Sequence, residues 1–262
     1  MSTQKFAGKT VIVTGSSSGI GQGIALLLAQ QGASITIHGR SAEGLKETED
    51  LILESGVSAE KIHKVQGDLA DEEVLKKLID ETVAKFGKLD VVVNNAGLLS
   101  KIGTELSANF DRVFHVNVKA VMALNALAIP HLEKTKGNIV NVSSVGSTRV
   151  FNDEHYCMSK AALDHYMRFQ AQTLAKKGIR MNNLNPGFVN TNLSRDMGLS
   201  KEKIGELTET FTKTLVPLER SGTPLEQANC VSFLASEEAS YVTGITLVCD
   251  GGFLLGKEHQ FS

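Results

Sequence analysis

Short apolar runs and amphipathic stretches alternate along the whole chain. Residues 10–14, 34–38, 62–66, 89–93, 138–142, 179–184 and 244–248 are runs of aliphatic and β-branched residues. Residues 20–31, 43–54, 71–86, 155–177 and 224–235 carry helical patterning between them, and a further long helical region stops before Pro130. A strand, a covering helix and a parallel strand close as a right-handed unit, so this alternation predicts a parallel sheet. The strands are near-continuously apolar, as expected where helices cover both sheet faces. The expected fold is α/β: a single-domain, Rossmann-like, doubly wound parallel sheet. Its 262 residues, 42% of them hydrophobic, fit one such domain over 1–262 better than two small ones. Residues 188–217 break the rhythm with Asn, Thr, Ser, Gly and short helical pieces, and are expected to be a substrate lid.

Charge narrows the partners. With 27 basic and 29 acidic residues and no basic block, nucleic acid is a poor expectation. Cys157, Cys230 and Cys249 form no C-x-x-C pair, which suggests reduced, buried thiols and a cytoplasmic protein, with no metal site expected. The first apolar run is too short for a signal segment, and no run of 18 apolar residues predicts a membrane span.

Glycines mark the first strand-to-helix turn. Gly15, Gly19 and Gly21, with Ser17, Ser18 and Ile20, follow strand one and open helix one. Such a turn lets backbone N–H groups reach a phosphate. The spacing is G-x-x-x-G-x-G and not G-x-G-x-x-G, but its place at the first turn of a doubly wound sheet favours a dinucleotide. Strand two ends in His38-Gly39-Arg40-Ser41 with no acid to accept from a ribose 2′-hydroxyl. Arg40 is suited to a 2′-phosphate, so NADP(H) is favoured over NAD(H). Asp68, after strand three, is placed to accept from an adenine amino group. Asn95, Ala96 and Gly97, after strand four, are small enough for the sheet edge to meet the adenosine.

Tyr156 and Lys160 lie one helical turn apart and share a face. A phenol needs about 3 pKa units of help, roughly 4 kcal/mol, to exchange protons near neutrality. One ammonium at about 4 Å and an effective dielectric of ~20 supplies that much. The spacing alone is weak evidence. Ser143 and Ser144, at the carboxyl end of the fifth strand just before that helix, strengthen it, because ligands bind doubly wound sheets at that edge.

Taken in order, the glycine loop, Asn-Asn-Ala-Gly, the strand-five serine and Tyr-x-x-x-Lys resemble the short-chain dehydrogenase/reductase family, and within it carbonyl reductases. The resemblance runs from Lys9 to Gly252. It implies a tetrad of Asn117, Ser144, Tyr156 and Lys160. Tyr156 would pass the proton to a carbonyl oxygen, Lys160 would lower its pKa and hold the nicotinamide ribose, and Ser144 would orient the substrate. Asn117 would hold a water joining Lys160 to solvent. Pro186, Gly187, Val189 and Thr191 resemble the nicotinamide-binding stretch. The resemblance further implies a homotetramer or homodimer pairing helices 104–128 and 155–177, and an oxidoreductase interconverting a ketone or aldehyde with an alcohol. The alternative, a catalytically silent dinucleotide-binding sensor or scaffold, predicts a broken tetrad, and none of the four positions is broken. Leu98, Arg149, Val150, His155, Phe188 and Met197 are the expected substrate wall. They predict a medium-sized, partly apolar carbonyl compound, with Arg149 available to an acidic group.

Overall fold

The computed structural model describes residues 4–191 and 201–257. Among them is one seven-stranded, wholly parallel sheet. Its strands are β1 (Thr10–Val13), β2 (Ser34–Gly39), β3 (Ile62–Gln66), β4 (Val91–Asn94), β5 (Asn138–Val142), β6 (Arg180–Pro186) and β7 (Thr246–Cys249). The spatial order is β3-β2-β1-β4-β5-β6-β7. The direction of winding reverses between β1 and β4, which opens a crevice at their carboxyl ends.

The helices are α1 (Gly19–Gln30), α2 (Ala42–Glu54), α3 (Glu72–Phe86), α4 (Leu106–Phe114), α5 (Ala120–Thr135), α6 (Glu154–Ala175), α7 (Lys201–Leu215) and α8 (Pro224–Ala235). One core, including Val11, Ile24, Leu28, Ile35 and Val231, lies under α1, α2 and α8. A second, including Ile12, Leu78, Leu124, Leu132 and Met167, lies under α3, α5 and α6. Both sheet faces are thus covered, which is why the strands read as unbroken apolar runs. The three cysteines are free thiols but half-buried, not enclosed as expected.

The helical stretch that the sequence ends before Pro130 runs through it to Thr135. Pro130 removes the hydrogen bond to the Ala126 carbonyl, but both residues are exposed, so water can serve the freed oxygen. A π turn, His115–Lys119, joins α4 to α5 without a break. The joined unit, Leu106–Thr135, is long and apolar enough to cross a membrane by composition, yet its inner face is packed against α3 and α6.

In the expected lid, residues 201–215 form a full helix instead of short pieces. Its alternate threonines disguise it. Thr210 and Thr214 return their hydroxyls to the carbonyls of Glu206 and Thr210, four residues back, which reconciles poor helix formers with a helix. Met197 lies outside the described residues.

Candidate active site

One cleft at the carboxyl edge is lined from nearly every segment singled out by sequence. The side expected to take the nucleotide holds Gly15, Ser17, Ser18, Gly19, Ile20, Arg40, Asp68, Asn95, Ala96 and Gly97. Its far side holds Ser144, Tyr156, Lys160, Pro186, Gly187, Val189 and Thr191. Gly21 and Asn117 stand behind this wall.

The glycine loop is shaped by closeness. Gly15 has φ +65°, and a Cβ there would stand 2.8 Å from the Ala96 Cα. A Cβ on Gly21 would overlap the Gly15 carbonyl oxygen and the Asn95 amide. Asn95 is less a wall than a brace, since its Nδ2 donates to the carbonyls of Thr14 (3.0 Å) and Gly15 (3.1 Å). The Thr14 hydroxyl in turn accepts from the backbone N–H of Asn95 (3.0 Å) and Ala96 (3.1 Å). The sequence reading passed over Thr14. Ser16 was missed too; it is fully buried, and its hydroxyl accepts from the His38 N–H at 2.8 Å.

Arg40 and Asp68 face each other at 3.8 Å, both well exposed. Asp68 also accepts from the Ala70 N–H at 3.0 Å in a local turn. His38, beneath them, is buried, and its Nδ1 accepts from the Gly15 N–H at 3.4 Å. Burial pulls its pKa down to about 4. His38 was not among the expected site residues, and the strand period by itself only marks it as buried.

Tyr156 and Lys160 stand on the first turns of α6, whose start is capped by the Asp153 side chain on the Tyr156 N–H (3.1 Å). Asp153 also takes the Ser100 N–H and hydroxyl, both at 2.7 Å, and so ties the loop after β4 to that cap. The Ser144 hydroxyl is hydrogen-bonded to Tyr156 and accepts from the Gly146 N–H at 3.0 Å. Ser143 points elsewhere and donates to the Lys160 carbonyl at 3.2 Å. Lys160 Nζ lies 5.5 Å from the Tyr156 ring centroid and donates to the Val142 carbonyl at 2.9 Å.

The electrostatics differ from the sequence expectation. Lys160 was expected to lower the phenol. Instead, burial pushes Tyr156 up to about 12 against the hydrogen bond from Ser144, and pulls Lys160 down to about 8. The ammonium is turned to a carbonyl rather than to the phenolic oxygen, so desolvation wins on both groups.

Asn117 is fully buried in the π turn. Its Oδ1 accepts from the Leu98 N–H (2.8 Å), and its Nδ2 donates to the Leu98 carbonyl and the Ser159 hydroxyl, both at 3.0 Å. The side chain is therefore occupied in holding the loop after β4. π turns of this kind recur at functional sites.

On the far side, Gly187 crowds Asp250, with a Cβ there 2.7 Å from the Asp250 Cα. Thr191 packs on Gly19, whose Cβ would meet the threonine Cβ at 3.1 Å.

The expected substrate wall is only partly assembled. Arg149 is not available to an acidic group: Nη1 donates to the Phe253 carbonyl at 2.7 Å and the guanidinium lies 3.9 Å over the Phe253 ring. Val150 points to solvent, and His155 is buried towards Phe110, 5.9 Å between ring centroids. Leu98 lines the cleft. Phe188 packs into an aromatic cluster with two rings the sequence did not single out. It meets Phe253 edge-on at 5.0 Å and Phe151 at 6.2 Å. Phe151 lies beside the turn that carries Ser144, since a Cβ on Gly146 would stand 3.1 Å from its ring and 3.3 Å from Ser144 Oγ.

The family model described as enoyl-(acyl carrier protein) reductase matches residues 15–254. The chain is 34% identical over 258 residues to the 3-oxoacyl-(acyl-carrier-protein) reductase of Thermotoga maritima, covering 96% of this chain and all of that protein. It is 35% identical to the 3β-hydroxysteroid dehydrogenase 1 of Eggerthella lenta, with 97% of each chain covered. Among solved structures, a short-chain dehydrogenase/reductase of unknown function from Caenorhabditis elegans, crystallised with cofactor, superposes with a TM-score of 0.92. Its sequence is 38% identical, with 98% of each chain covered.

Proposed function

The chain belongs to the short-chain dehydrogenase/reductase family, an oxidoreductase using a nicotinamide dinucleotide and acting on CH–OH donors or their carbonyl products, and from that premise we propose that it is an NADP(H)-dependent carbonyl reductase. The observation that carries this reading is the one cleft that Ser144 and Tyr156 share with Lys160, one turn further along α6.

The bound nicotinamide supplies or takes the hydride. The protein's part is the proton. Tyr156, held protonated through neutral pH by burial, donates its phenolic proton to the carbonyl oxygen, and Ser144 holds that oxygen in place. Hydride and proton together convert the ketone to the alcohol. The reverse reaction must first strip the proton from Tyr156, so oxidation gains with rising pH. Lys160 would hold the ribose. With the Asn117 side chain occupied by Leu98 and Ser159, the backbone carbonyl is the atom left to it for a water.

NADP(H) is supported by Arg40 and by the lack of a carboxylate at the end of β2. The Arg40–Asp68 pair does not oppose this. An exposed pair at 3.8 Å contributes about 0–1 kcal/mol, less than a bidentate phosphate would. Phe151, Phe188 and Phe253 favour a substrate with an apolar body beside its carbonyl, and segment 188–217 is the lid expected to cover it.

Two separate apolar faces support a homotetramer. One carries Leu106, Phe110, Met158 and Phe169; the other carries Phe233, Tyr241, Ile245 and Val248. A closed tetramer of two-fold pairs needs two distinct self-complementary surfaces. A monomeric mass by light scattering would sink that assignment.

The test of function is NADPH oxidation across a panel of apolar ketones, with Y156F as control. Loss of Tyr156 as proton donor should lower kcat by about 10³-fold. Full turnover in Y156F defeats the reading.

A further inference from the structure

Beneath the cleft runs a line of buried amides. Asn94 Nδ2 donates to Asn141 Oδ1 at 2.9 Å, Asn141 Nδ2 to Asn183 Oδ1 at 2.8 Å, and Asn183 Nδ2 to Asp164 Oδ1 at 2.7 Å. The first three occupy paired register positions on β4, β5 and β6. Asn185 adds a second donor, Nδ2 to Asp164 Oδ2 at 2.9 Å. Every amide in the line points its N–H towards Asp164. Aligned dipoles of this kind strengthen one another and end best on an anion.

Asp164 is 4% exposed and Lys160 is 3% exposed. They lie one helical turn apart on α6, on one face. Among the described residues no ion pair is formed by Asp164. A buried carboxylate of this kind needs a reason, because desolvating it is costly unless charge or donors compensate.

We propose that Asp164, clamped by Asn183 and Asn185, is a positioning residue that acts through its charge on Lys160, one turn away on α6, and keeps that ammonium charged for the reaction. This rests on the reading of the Tyr156–Lys160 site given above. Its negative charge opposes the desolvation that drives Lys160 down. Other charged groups on packed elements look elsewhere. Arg180 donates to the carbonyls of Leu234, Ser236 and Val242, and Arg112 to that of Leu99. His115 and Lys119 lie in the π turn, and Asp111 on α4; burial and Asp164 are what move Lys160.

Asn185 Oδ1 is buried without a partner. Replacing Asp164 by Asn and flipping the Asn185 amide turns that oxygen to the new donor, and the Ser147 hydroxyl can rotate to donate. D164N therefore removes the charge and keeps the hydrogen-bonded line. D164S removes the same charge from a smaller side chain, so the outcome does not hang on one variant folding.

The measurement is the pH profile of kcat/KM, together with the Lys160 Nζ titration in apoprotein by lysine-selective NMR. Loss of one nearby buried charge should move the alkaline limb and the Nζ titration down by about one pH unit, roughly 10-fold in kcat/KM above the limb. D164E should restore both. A limb that stays put in D164N and D164S, with kcat lowered equally at every pH, makes Asp164 merely structural and overturns the proposal. So does a shift that D164E fails to reverse. Full turnover in Y156F would instead defeat the site reading, whatever the limb does.

Discussion

The two sides of the cleft are built by different means. The side proposed for the nucleotide is made of backbone: Gly15, Gly19 and Gly21 pressed on Ala96, Thr191 and Asn95, with Thr14 and Ser16 tying turn to strand. The side proposed for the substrate is made of side chains from remote segments, with Phe151, Phe188 and Phe253 packed on one another and Arg149 stacked on the last. A phosphate asks the same of every chain that binds it, so backbone closeness leaves few sequences that fit. A substrate body asks only for shape, which many sequences supply. On the proposed reading, cofactor binding is secured by the first construction, and selectivity is left to the second.

If so, damage on the two sides should separate. The largest effect is expected from G21A. A methyl group driven into the Gly15 carbonyl and Asn95 amide should weaken cofactor binding about 100-fold, or about 2–3 kcal/mol, with substrate KM at saturating cofactor little changed. Calorimetric titration with NADPH decides this, and an unchanged Kd would break the contrast.

Acid sensitivity should also sit on the nucleotide side. The folded His38 pKa of about 4 lies below its unfolded value of 6.5, so between these values the unfolded chain takes a proton that the fold refuses. Stability is intact above 6.5 and is lost as pH falls towards 4, by about 2 kcal/mol at pH 5 from this group. In urea unfolding of apoprotein, the gap between H38N and the natural protein should narrow by that amount from pH 7.5 to pH 5. A constant gap refutes it.

The mildest change is R149K. It keeps the charge but loses the planar stack on Phe253, and should raise substrate KM about 3-fold with NADPH affinity untouched. A change in cofactor affinity of equal size would mean that the two sides are not independent.

The same contrast explains what could be read in advance. Strand positions were legible because covered strands are unbroken apolar runs, and the glycine loop because its residues are forced locally. Asn117, Tyr156 and Lys160 were singled out by resemblance, yet their surroundings could not be read. The turning of Lys160 Nζ to Val142 depends on side-chain packing that spacing does not encode. Arg149 was misread because its partner, Phe253, is 104 residues away. Helix α7 hid behind its threonines, and α5 behind a proline whose effect depends on which side faces water. The line from Asn94 to Asp164 joins four elements through single side chains, and no local pattern announces it.

The π turn at His115–Lys119 has a geometric consequence. Each helical residue advances the axis by about 100°, so one residue more in a turn rotates everything after it relative to everything before. The continuous helix from Leu106 to Thr135 therefore has two independent headings. Its front half aims Phe110 at α6 and the outer surface, while its rear half aims Leu124, Ala128 and Leu132 into the sheet. Removing one residue from the turn would leave the rod as straight as before and mis-aim one half of it, like a shaft with a slipped key.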